Sequence, residues 1–115
     1  MNSRELNKLL IKAFPNLKEE YIEEVSWQEG DDTGSHTVYG DVFTPYLRNC
    51  IEEYKSEKIV QAFKYLERLL NLKDAYADEV VTFSILESVA YLFKEREELR
   101  NLLGERTKES MREFL

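Results

Sequence analysis

Apolar side chains recur every three or four positions along most of the chain, the spacing that places them on one face of an α-helix. No segment alternates apolar and polar residues for long enough to indicate a β-strand, and His36 to Tyr39 is the nearest approach to an extended segment. The pattern predicts helices over about residues 4–14, 16–27, 41–54, 57–72, 75–93 and 107–115, with a short charged segment over 95–103.

Proline and glycine mark the ends of these segments. Pro15 ends the first predicted helix, and Gly104 is expected to end the charged segment in a left-handed conformation. Pro45 is tolerable in the first turn of the third helix, where its missing N–H has no partner in the helix. Residues 29–37 are polar and rich in glycine, so the sequence predicts one substantial loop near 29–40.

The predicted fold is a single all-α domain over residues 1–115, an up-and-down antiparallel bundle of about six to seven helices. Apolar residues make up 43% of the chain, which is enough for a core without disulfides or metal. From Val80 to Phe93 the only charged residue is Glu87. A helix that is apolar nearly all round is usually central, so we expect the third, fourth and fifth helices to form the centre.

Charge narrows the classes of partner. The chain has 16 basic and 23 acidic side chains, a net charge of −7, and no Lys/Arg cluster, so neither nucleic acid nor an anionic membrane is an expected partner. No apolar run resembles a signal peptide or a membrane span. The single cysteine, Cys50, excludes an intramolecular disulfide and fits a reducing compartment. We therefore expect a cytoplasmic protein that needs no cofactor.

An isolated carboxylate in an apolar helix marks one candidate site. Glu87 must be exposed, paired or protonated, because burying a lone charge is costly. Glu67 has the equivalent position on the fourth helix, and Tyr46 and Arg48 complete a hypothetical interior polar site. The only histidine, His36, is not three residues from either glutamate, so no metal is expected there. The alternative is that each glutamate makes an ordinary structural hydrogen bond or salt bridge.

A second candidate site is the acidic second helix with the polar loop that follows it. Such a surface is typical of a solvated face, but it also fits a docking site that steers a basic protein by electrostatic attraction. Nearby aromatic residues are candidate anchors for that partner. The predicted partner-binding residues are Glu20, Glu23, Glu24, Trp27, Asp31, Asp32, His36 and Tyr39.

Catalytic motifs are absent from the sequence. Cys50 lies on the apolar stripe of the third helix, which indicates a buried and inert thiol. The stretch over 31–41 does not have the ligand spacing of a calcium loop, and there is no phosphate-binding glycine loop or paired-cysteine motif. We do not expect an enzyme, although an enzymatic or ligand-binding bundle around the interior polar site remains the alternative.

Three short stretches resemble a group of small uncharacterised bacterial all-helical proteins. They are Tyr39 to Leu47, Phe63 to Glu67 and Ser84 to Glu87, and the likeness spans about residues 38–110. The resemblance implies a bacterial, helical, stand-alone domain, and it supplies no catalytic residues.

Small size and acidity also resemble the immunity proteins that neutralise bacterial toxins, many of which are basic nucleases. The leading hypothesis is a non-enzymatic protein-interaction module, immunity-like, that neutralises a basic partner. A homo-oligomer that buries Met111, Phe114 and Leu115 against a second copy is a further hypothesis.

Overall fold

The computed structural model describes every residue from Met1 to Leu115 and contains helices and turns only. Two short 3₁₀ turns, Pro15–Leu17 and Gly30–Asp32, lie on either side of the second helix. The prediction of an all-α fold with six to seven helices is confirmed. The seven helices are α1 (Ser3–Ala13), α2 (Lys18–Ser26), α3 (residues 35–52), α4 (Ser56–Asn71), α5 (residues 75–92), α6 (Glu97–Arg100) and α7 (Glu105–Arg112).

The core is one cluster of 31 buried apolar residues, and 21 of them come from α3, α4 and α5. The expected central position of these three helices is therefore confirmed. Phe14, just after α1, inserts its ring edge-on against Phe43 of α3 and Tyr65 of α4, with centroids 5.3 and 5.2 Å apart. Such edge-to-face contacts add about 0.5–1.5 kcal/mol each to the burial of the rings, so Phe14 fixes α1 onto the centre.

Both α3 and α5 contain a stretch of π-helix, in which each N–H bonds to the carbonyl five residues earlier. These wide turns span Tyr39–Phe43 and Val80–Leu86, and they pack against each other. Pro45 lies in the first turn of the α-helical part Thr44–Glu52, as predicted, but the chain before it is helical too. The wide turn ends at Phe43, and the N–H of Thr44 still bonds to the Tyr39 carbonyl five residues earlier, so the change from π-helix to α-helix falls next to the residue that has no N–H to donate.

The predicted loop near 29–40 is wrong beyond residue 34, because α3 begins at Ser35 and includes His36 and Tyr39. Hydrogen bonds to the buried side chain of Asn7 order this segment. The Asn7 amide donates to the carbonyls of Asp31 (3.0 Å) and Thr33 (2.7 Å), and it accepts from the Ser35 hydroxyl (2.8 Å). A contact from α1 thus replaces the water that a polar, glycine-rich segment would otherwise bind.

The expected left-handed Gly104 is also wrong, since its φ of −70° and ψ of 165° are extended. Gly104 is the N-cap residue of α7 and has no side chain with which to cap it. Glu67 of α4 performs that role from a distance. Its carboxylate accepts hydrogen bonds from the N–H of Arg106 (3.1 Å) and from the N–H and hydroxyl of Thr107 (2.9 and 2.8 Å).

Candidate partner-binding surface

The outward side of α2 carries exposed apolar residues among acidic ones. Tyr21 and Val25 anchor the opposite side of the helix in the core. Ile22 is 51% exposed and Trp27, which caps the carboxyl end of α2, is 73% exposed. We call the surface around them the acidic face; its carboxylates belong to Glu19, Glu20, Glu23, Glu24 and Asp41.

No cation of the chain neutralises the acidic face. None of its five carboxylates lies within 4.0 Å of a lysine or arginine nitrogen, whereas six ion pairs form elsewhere. Glu24 and Asp41 lie close to one another, and burial together with the charge of Asp41 raises the pKa of Glu24. The only side-chain partner of Glu24 that offsets this repulsion is the Gln28 amide at 2.7 Å, a neutral donor. The carboxylates of this surface are therefore not paired with any cation of the chain.

Asp31 and Asp32, which the sequence placed in the partner-binding set, are engaged within the chain. The Arg4 guanidinium makes two hydrogen bonds to Asp32, at 3.0 and 3.1 Å, and lowers the pKa of that carboxyl. Asp31 accepts a 2.7 Å hydrogen bond from the Tyr21 hydroxyl, and burial plus this bond raise the pKa of Tyr21. These contacts hold α2 and the 30–34 segment in position beside α1.

Tyr39 is fully buried, so its expected role as a partner anchor is wrong. Its hydroxyl donates to the Leu6 carbonyl at 2.6 Å and lies 2.7 Å from the Tyr65 hydroxyl. The first turn of α3 is helical and faces α1, which turns Tyr39 inward. Trp27, by contrast, is the exposed aromatic residue that the anchor hypothesis requires.

His36 is exposed, as the partner-binding hypothesis requires, and lies in the first turn of α3, before the wide turn. Its Nδ1 lies 2.6 Å from the Ser84 hydroxyl, and its ring packs edge-on against Tyr76. The Ser84 carbonyl accepts a 2.8 Å hydrogen bond from the Thr44 hydroxyl. Ser84 therefore ties α3 to α5 through both its side chain and its backbone, and sequence reasoning had no signal for it.

The hypothetical interior polar site does not form. Glu67 caps α7, and Glu87 is exposed on the outside of α5. The Tyr46 ring packs against Phe14 at 5.8 Å, and Arg48 makes no ion pair. None of these four residues lines the cavity between α6 and α7 or the four other surface cavities of about 210 to 320 Å³.

The structure contains no group of side chains that could hold a metal ion. No three His, Cys, Asp or Glu side chains lie close enough together for that purpose, and the thiol of Cys50 is buried.

The residues proposed for self-association are mostly covered by the chain itself. Met111 is buried within the chain's own core, Phe114 is half-buried and Leu115 is 46% exposed. The patch is therefore smaller than the sequence suggested.

Ile22 and Asp41 complete the acidic face and were missed as site residues. Ile22 follows the apolar spacing of α2, but it lies about 60° round the helix from Val25, beyond the arc that Leu17, Tyr21 and Val25 define. Centring the apolar arc on these three residues would have placed Ile22 outside. Asp41 joins Glu24 only through the packing of α3 on α2, for which the sequence carries no local signal.

The chain matches a known family model. A family model described as a domain of unknown function, DUF7674, covers residues 7–115. The chain belongs to this family. The expectation of an uncharacterised family is thereby confirmed. No curated protein and no solved structure matches the chain. None of its helices combines the length and apolar character needed to cross a lipid bilayer.

Proposed function

We propose that this DUF7674 protein is a protein-interaction module whose acidic face binds a basic protein partner. The observation that carries the proposal is the 73% exposure of Trp27 beside five carboxylates that have no cation within the chain. Tryptophan is among the residues that most often dominate the binding energy of protein interfaces.

The chemistry of the acidic face defines the partner. Trp27 fits a shallow apolar pocket, and the surrounding glutamates fit lysine and arginine side chains at its rim. Rim charges act mainly on the association rate, because they steer the approach and are screened by salt. We therefore expect Trp27 to control dissociation and the glutamates to control association.

A narrower form of the proposal is that the partner is a toxic basic enzyme, such as a nuclease, that the module neutralises in the bacterial cytoplasm. It is supported by the size and acidity of the chain, and the buried Cys50 fits a reducing compartment. Co-expression with the captured partner tests this form. Growth that is restored by the natural chain but not by Trp27→Ala supports neutralisation, and a partner that is harmless alone refutes it.

The binding proposal is tested by purifying the tagged protein from its host at low and high salt and then measuring the captured partner's kinetics. We expect the captured partner to be basic and to dissociate faster from the Trp27→Ala variant than from the natural chain. Changing Glu19, Glu20, Glu23 and Glu24 to Gln should slow its association at low salt. The matched control changes four exposed glutamates outside this surface to Gln: Glu52, Glu57, Glu79 and Glu87. Equal slowing by both quadruple variants, or a partner that Trp27→Ala does not affect, overturns the proposal.

A further inference from the structure

A cationic cavity lies between α6, α7 and the residues that join them, in the carboxyl-terminal part of the chain. Its volume is about 310 Å³, close to the lower end of the range of small-molecule sites. Its walls combine three cations, one acid, one amide and three apolar side chains. They are Glu97, Arg100, Asn101, Leu103, Lys108, Met111, Arg112 and Leu115.

The charge of this cavity is opposite to that of the whole chain. Arg100, Lys108 and Arg112 outnumber Glu97, in a protein whose net charge is −7. Arg112 makes no ion pair and no side-chain hydrogen bond. The only ionic partner of Lys108 is Glu105 at 3.5 Å, and the Glu105 side chain is 91% exposed, so water competes strongly for that contact. Two cations are therefore available to an incoming anion.

Arg100 is held in place before any ligand arrives. Its Nη1 donates to the carbonyls of Phe93 and Lys94, the latter at 2.8 Å, where the chain leaves α5. These bonds use one nitrogen of the guanidinium and leave its other donors free. A side chain fixed in this way loses little conformational entropy on binding, which favours the bound state.

The remaining walls accept an apolar group. Leu103 and Met111 are buried side chains at the base of the cavity, and Leu115 is half-exposed at its edge. Cations beside apolar walls suit a molecule that has both a charged end and a hydrocarbon part. Arginine donors match carboxylate and phosphate oxygens in geometry as well as in charge.

We propose that this cavity binds a small organic anion, a carboxylate or phosphate monoester with a short apolar chain. Arg112 and Lys108 hold the anionic group beside the fixed Arg100, and the exposed Leu115 side chain contacts the hydrocarbon above the base formed by Leu103 and Met111. This site shares no residue with the acidic face, so it stands or falls independently of partner binding.

The test is a titration with hexanoate, hexyl phosphate and the uncharged hexanol, followed by amide chemical shifts and calorimetry at constant ionic strength. We expect both anions to shift the amides of residues 97–112 saturably, and hexanol to bind at least tenfold more weakly. Arg112→Gln should weaken anion binding about tenfold. The tighter of the two anions identifies the preferred head group.

Lys58→Gln is the matched control, since Lys58 is an exposed cation outside this cavity and its loss should leave the affinity unchanged. Arg100 is unsuitable as the test position, because its contacts to Phe93 and Lys94 stabilise the fold. The proposal is overturned if neither anion gives a saturable shift, if hexanol binds as tightly as the anions, or if Arg112→Gln and Lys58→Gln have the same effect.

Discussion

Removing the Glu67 side chain should show how much the contact between α4 and the start of α7 stabilises the fold. Glu67 leaves α4 and satisfies the start of α7, with three hydrogen bonds of 2.8 to 3.1 Å to Arg106 and Thr107. Thr107 is fully buried, so its groups cannot turn to water when the carboxylate is lost. Substituting an N-cap costs about 0.5–2 kcal/mol, and leaving a buried polar group unpaired costs about 1–3 kcal/mol.

We therefore expect Glu67→Ala to lower the free energy of unfolding by about 2–3 kcal/mol and Tm by about 10 °C. The measurement is urea unfolding followed by far-UV circular dichroism, together with a thermal scan. Glu87→Ala is the matched control, because Glu87 is an exposed glutamate that makes no ion pair, and it should change the free energy by less than about 0.5 kcal/mol. Equal stability of the two variants would refute the capping role.

The pH dependence gives a second check on the same contact. Burial alone would raise the pKa of Glu67, but hydrogen bonds from Thr107 and Arg106 outweigh it and lower the pKa below the ordinary value of 4.5. The ionised carboxylate thus stabilises the fold fully above pH 4.5, and that contribution is lost as the pH falls through the lowered pKa. The stability difference between the natural chain and Glu67→Gln should shrink over that interval. A difference independent of pH would contradict this.

Three other predictions follow from buried contacts. Gly104→Ala should destabilise the fold, because a Cβ there would lie 2.3 Å from the Glu67 carboxyl; in a double-mutant cycle this loss should largely disappear in the Glu67→Ala background, and additive losses would disprove the coupling. Asn7→Leu should cost about 3 kcal/mol in urea unfolding, because the carbonyls of Asp31 and Thr33 lose their donor and the Ser35 hydroxyl keeps only the longer bond to the Ser3 carbonyl; a change below about 1 kcal/mol would contradict this. Burial raises the pKa of Tyr65 to about 12 and raises the pKa of Tyr39 further, so the free energy of unfolding should fall as the pH rises above 10. Tyr39→Phe should make that fall less steep, and an unchanged slope of stability against pH would contradict the role given to Tyr39.

The helices were predictable where one apolar stripe decides the structure. Leu47, Cys50 and Ile51 of α3 are buried as their spacing requires. The start of α3 was not predictable, because the hydrogen bonds of Asn7 join residues about 25 positions apart and leave no periodic trace in the sequence. Local composition indicated a loop there, and a tertiary contact overrode it.

The candidate surface was predictable in its charge but only partly in its members. The acidic run on α2 is visible in the sequence, yet which of two aromatic residues faces outward depends on the direction in which α3 begins. That direction buries Tyr39, whereas Trp27 at the end of α2 is exposed. Glu67 and Glu87 looked equivalent along their helices, but only Glu67 has the start of another helix beside it. The difference between the two glutamates comes from tertiary packing and not from their positions along the helices.

The paired wide turns of α3 and α5 bear on how chains of this kind can change in length. Adding or removing one residue inside an α-helix rotates everything beyond it by about 100° and breaks the buried stripe. A π turn already accommodates about one residue more than an α turn. Tyr39–Phe43 and Val80–Leu86 are therefore the positions inside α3 and α5 where we expect homologous chains to differ by single-residue insertions or deletions while the core stays in register.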